Sequence, residues 1–139
     1  MTQIAALLRK PTVREAEVTK VKRMNRVVIN RCFGGFGLSH EAILRYAEIK
    51  GMNLIVKEGE STFLPYAYYI GEEADENYFS DYMINRADPA LVKVVEELGE
   101  VANGFAAELA VVEVPFDVKW HIAEYDGLEH VAEDHRTWS

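Results

Sequence analysis

The side chains best able to do chemistry gather in two places, and the richer of them lies near the C-terminus. His121, Glu124, Asp126, Glu129, His130, Glu133, Asp134, His135 and Arg136 fall there, including three of the chain's four histidines. Imidazoles and carboxylates together can ligate Zn²⁺ or Mn²⁺, or serve as general acid and base. If the chain turns at Asp126-Gly127, His121 and His130 become diagonal neighbours on one face of a hairpin. They are the nearest approach to a metal pair. His135 falls on the opposite face, and the spacing follows no H-x-x-x-H or other ligand pattern. The expectation is a solvated acidic hairpin, with no metal, no cofactor and no assigned catalytic residue.

The second place is a glycine-rich turn, Asn30-Arg31-Cys32-Phe33-Gly34-Gly35-Phe36-Gly37. Where such a turn opens a helix, backbone N–H groups attract anions and glycine lets a ligand approach the main chain. The candidate ligand-binding set is therefore Arg31, Gly34, Gly35 and Ser39, with Tyr66 and Tyr68 as a stacking wall. The run matches neither the Walker spacing nor G-x-G-x-x-G. A tight turn whose glycines supply positive φ, with its phenylalanines in the core, is the commoner use of this pattern. Cys32 near a helix start would form a stabilised thiolate, but a lone cysteine among apolar neighbours usually packs. His40 is expected to point along the helix, and Ser39 reads as a cap rather than a nucleophile.

These groups need a scaffold, and the sequence pattern supplies one. Val27-Val28-Ile29 is a β-branched run suited to a buried strand. Ser39 can cap the following helix, with Leu38 stapled to Ile43 and Gly51 as the stop. Leu54 to Val56 is again strand-like. Strand, helix, strand predicts a β-α-β unit with parallel strands and a right-handed crossover. Asp88 caps a second long helix with Pro89 in its first turn, and apolar residues recur from Leu91 to Ala102. Leu109 to Val114 reads as a strand. Beyond it, Trp120, Ile122 and Val131 should share one hairpin face, with His121, Tyr125 and His130 on the other. The fold class expected is α/β: a β-α-β unit with a mixed sheet, the second long helix and a C-terminal β-hairpin.

Between residues 58 and 86 lie five of the seven tyrosines, mixed with carboxylates. Tyr66 to Ile70 is expected to be a strand. Aromatic rings can stack bases, but acidic companions argue against bare nucleic acid and suit a protein interface, where tyrosine is enriched.

At 139 residues and 49% hydrophobic, the chain is expected to form one domain over 26–139, preceded by a basic arm over 1–25. Residues 1–31 hold eight basic and two acidic side chains, a net +6, leaving −14 for the remainder of the chain's −8. Such an arm can bind nucleic acid, an acidic partner or its own acidic body. The single cysteine excludes an internal disulfide and fits a reducing compartment. No apolar run suggests a membrane span, and the N-terminal patch at Ile4 to Leu8 lacks the marks of a signal peptide.

Three segments taken together resemble a family of small uncharacterised proteins of tailed bacteriophages and prophages. They are Val27 through Phe36, Val94 through Gly104, and Glu124-Tyr125-Asp126-Gly127 continuing to His135-Arg136-Thr137-Trp138. The resemblance spans Arg26 to Trp138 and brings no activity with it. What it implies is context: a phage-encoded protein acting in the host bacterial cytoplasm. The leading expectation is thus a non-enzymatic accessory protein that interferes with a host process such as defence. It would bind a host protein or a small anionic, nucleotide-like ligand, with homo-oligomers allowed. The alternatives are a small metal-dependent hydrolase or nuclease built on the hairpin, and a virion or assembly component.

Overall fold

The computed structural model describes residues 23–59, 61–62, 65–136 and 138. The expected arm lies outside these up to residue 22. The first strand, β1 (Met24–Asn30), starts within the stretch assigned to the arm.

Valine and isoleucine at 27–29 bury both faces of β1, and this makes it the centre of the fold: Val27 and Val28 are 0% exposed and Ile29 3%. Its ladder partner is β5 (Leu109–Pro115), antiparallel, with Val27 opposite Val112 and Ile29 opposite Ala110. Val28 faces the main core, which is built from Ala42, Ile43 and Tyr46 of helix α1 (His40–Lys50) and Leu91, Val94 and Val95 of helix α2 (Pro89–Leu98). Val27 and Ile29 face the other way. With Val114 they meet Trp120, Ile122 and Val131 of a hairpin formed by β6 (Trp120–Tyr125) and β7 (Leu128–Glu133). The result is three layers: helices, a two-stranded ladder, and the hairpin.

Local sequence accounts for the element ends. Ser39 Oγ accepts from Ala42 N at 3.1 Å, and Leu38 and Ile43 are both buried, as the cap and staple predict. Gly51 ends α1 at φ 68°, its N–H returning to Glu48 O. Asp88 Oδ1 accepts from Ala90 N at 2.9 Å at the start of α2. That helix stops at Leu98, short of Ala102, to which the apolar recurrence runs. Gly99 takes φ 56° and the chain tightens into a 3₁₀ turn, leaving Val101 57% exposed. The hairpin has the expected register, Tyr125 opposite Leu128 and Ile122 opposite Val131, with positive φ at Asp126 and Gly127.

The mixture of helices and strands is as expected, but the parallel β-α-β unit is not formed. Strand β2 (Leu54–Glu58) pairs antiparallel with β3 (Tyr66–Ile70), which pairs with the short β4 (Tyr78–Phe79), in a sheet separate from β1. All ladders among the described residues are antiparallel. The physical reason is that both edges of β1 are taken. One carries β5. On the other, Val28 N donates to Arg86 O at 2.8 Å and Asn30 N donates to Glu129 Oε1 at 2.8 Å. No edge is left for β2, which finds its partner in the tyrosine strand.

Candidate functional site

Tyr66 and Tyr68 are two residues apart on β3, so they leave the same side of the strand. That side meets the N-terminal turn of α1. The His40 ring stacks on Tyr66 at 3.9 Å and 15°, and its Nδ1 lies 2.7 Å from the Tyr68 hydroxyl. Asp81, in the turn after β4, accepts from Leu38 N through Oδ2 at 2.9 Å. Together with Ser39, Tyr78 and Phe105 these residues line a groove of about 200 Å³. Burial first, then the nearby Tyr66, Asp81 and Glu41, push the Tyr68 hydroxyl up to about 12. It therefore stays protonated at neutral pH, within hydrogen-bond reach of His40 Nδ1.

The six residues expected to bind a ligand do not converge. Ser39, Tyr66 and Tyr68 line this groove, whereas Arg31, Gly34 and Gly35 lie outside its lining. Gly34 is packed by the chain itself, whereas a Cβ on Gly35 would meet open space. A Cβ on Gly34 would come within 1.9 Å of Ala106 O, and one on Gly127 within 2.7 Å of Gly35 N. The turn is a seam where the loops around residues 34, 106 and 127 meet. Gly35, at φ 113°, supplies the positive φ expected of such a turn. Arg31 is exposed, with its N–H given to Glu108 O. Ser39 is a cap whose hydroxyl donates to Val101 O at 2.6 Å.

Under the seam lies a polar hub that sequence reasoning missed. Asn30 is 0% exposed, and its side chain is fully used. Nδ2 donates to Cys32 O and Gly127 O, and Oδ1 accepts from Glu108 N and Cys32 Sγ. Glu129 is 8% exposed and takes both guanidinium arms of Arg86, at 2.7 and 2.9 Å. Arg86 in turn lies 3.4 Å over the Phe36 ring. The expectation of a solvated hairpin thus fails at Glu129. Cys32 is held in this packing, its Sγ also 3.0 Å from Ala106 O.

The other hairpin groups remain apart. His121 Nδ1 pairs with Asp134 Oδ1, while His130 sits opposite Ala123. Among the described residues, no three His, Cys, Asp or Glu side chains come together as a metal site. A larger hollow of about 610 Å³ lies between the start of β1 and α2, but its charged rim is already paired, Arg26 with Glu96 at 2.6 Å.

His40 and Asp81 are the site residues that sequence reasoning did not choose. The usable signal was the i, i+2 pair Tyr66 and Tyr68, which demands something polar opposite. Nothing local says that α1 provides it.

The seam also gathers exposed aromatic side chains. Phe33 is 63% exposed, Tyr82 76%, Phe105 87% and Tyr125 77%. They come from four loops joined by contacts at Gly34–Ala106, Gly37–Gly104 and Phe33–Gly127, and by the Phe36–Tyr82 ring pair. Compared with known proteins, the chain matches no family model, no curated protein and no solved structure.

Proposed function

We propose that this chain is a non-enzymatic binding protein that engages another protein through the loop end bearing Phe33, Tyr82, Phe105 and Tyr125. In the phage-type context implied by the sequence resemblance, the partner is a host protein and the effect is interference with its work. The observation that carries the reading is the exposure of four aromatic side chains on loops that Asn30, Glu129 and Arg86 tie to the core. Aromatic rings on a rigid frame bury large area at low entropic cost, and such residues dominate interface energetics. The hydrolase reading lacks support from the hairpin, because Glu129 is engaged by Arg86 and Asn30 and the histidines stand apart.

The test is site-specific photo-cross-linking in bacterial cells, with a benzophenone amino acid replacing Phe105, Tyr82 or, as a control, Phe116 near the other end of β5. The expected result is one discrete higher-mass adduct from positions 105 and 82 and none from 116. Equal labelling at all three positions, or none at any, would sink the proposal.

A further inference from the structure

The groove between α1 and the tyrosine sheet opens beside the same loop end, since Phe105 lines it and Asp81 precedes Tyr82. We infer that this groove receives the guanidinium of an arginine presented by the partner protein, stacked on the tyrosine rings with its charge toward Asp81. This rests on the binding role proposed above and names the chemistry of the contact.

Charge argues against the anionic ligand first expected near this helix start. Among the described residues, Asp81 lines the groove and no lysine or arginine does. Of the main-chain donors at this helix start, Leu38 N is occupied by Asp81 Oδ2, Ser39 N by Ala102 O, Ala42 N by Ser39 Oγ and Ile43 N by Ser39 O, which leaves His40 N and Glu41 N. Asp81 is itself the negative group that complements this end of α1. A phosphate would meet the Asp81 carboxylate, with His40 as the ionisable base among the described lining residues.

Shape and chemistry favour arginine over a small cation. Tyr66 is 37% exposed and lines the groove, one face of its ring stacked on His40, whereas the Tyr78 ring pairs with Tyr69 on the other face of the sheet. The flat guanidinium stacks on aromatic faces and pairs with carboxylates in a planar fork, whereas an ammonium does neither as well. Asp81 Oδ2 accepts one backbone N–H and Oδ1 faces Ser80 Oγ at a long 3.3 Å, so the carboxylate keeps lone pairs for a second donor. The loop joining β3 to β4 adds Glu72, Asp75 and Glu76, with Glu73 held by Lys57, a field that attracts a basic segment.

The experiment is an NMR titration of the full chain with N-acetyl-arginine amide, and in parallel with adenosine monophosphate as the anionic probe. Ring resonances of His40, Tyr66 and Tyr68 are the readout, and the Val27 amide reports that the fold is intact. The arginine amide should give saturable shifts at these rings. Asp81→Asn, which keeps an acceptor for Leu38 N, and Tyr66→Leu should each weaken binding by about two- to fivefold, as expected for one exposed cation–π or charge contact. Saturable binding of adenosine monophosphate at the same rings would overturn the assignment, as would arginine amide that never saturates or binds Asp81→Asn unchanged. If cross-links form at Tyr82 while the arginine amide leaves the groove untouched, the protein-binding role stands and the arginine pocket falls.

Discussion

At the scale of single residues, the pairing of Arg86 with Glu129 is the interaction most sensitive to change. Both groups are largely out of water, with side chains 17% and 7% exposed, and Glu129 also holds the N–H of Asn30. Removing one partner strands a buried charge, so Glu129→Ala or Arg86→Ala should each cost about 3–5 kcal/mol. The double change Arg86→Met with Glu129→Leu should recover a good part of that loss, because it removes both desolvated charges together. Urea unfolding of the four proteins measures the recovery, and a double variant no more stable than the worse single would refute it. This pair was partly legible in the sequence. The hairpin register puts Glu129 on the face of Trp120, Ile122 and Val131, and a carboxylate on a core face requires a partner. What could not be read was the partner, because Arg86 sits in a segment with no period. The same limit hid His40, whose role depends on which strand its helix packs against.

Elements were legible where their signals are local. The caps at Ser39 and Asp88 and the Asp126-Gly127 turn each depend on a few adjacent residues, and all formed as read. The parallel crossover failed because strand pairing is settled by distant residues competing for an edge. Asp88 shows how one cap is reinforced by such distant groups. Burial raises its carboxyl, but the Tyr46 hydroxyl at 2.7 Å, the Ala90 N–H and Lys50 at 3.4 Å outweigh it and hold the carboxyl below its ordinary value. A depressed folded value stabilises the fold above the unfolded pKa, about 3.9, and that contribution fades as pH falls through the folded value. Asp88→Asn keeps a capping acceptor and loses only the charge. It should be less stable than the parent by about 1 kcal/mol at neutral pH, with the gap closing below about pH 4. Thermal melts from pH 7 to pH 2 test this, and a gap constant across that range would refute it.

For the whole molecule, the consequence of a strand buried on both faces is that the apolar interior is divided in two. The larger cluster joins the helices to Val28, and the smaller joins the hairpin to Val27, Ile29 and Val114. The smaller cluster should open first. Native-state hydrogen exchange is expected to show the amides of Ala123 and His130, a hydrogen-bonded pair of the hairpin, exchanging at least about tenfold faster than that of Val94, a gap of about 1.4 kcal/mol. Equal rates would mean one cooperative unit. The strand layout also bears on time. A ribosome delivers β1 long before β5, the hairpin or Glu129 exists, so its three β-branched residues meet the cytosol with neither ladder partner nor cover. Its pairings span most of the described chain, a topology that folds slowly because loop closure precedes the reward. For that interval the nascent chain carries a sticky, unpaired strand, and its yield in the cell depends on how soon chaperones shield it or residue 129 emerges.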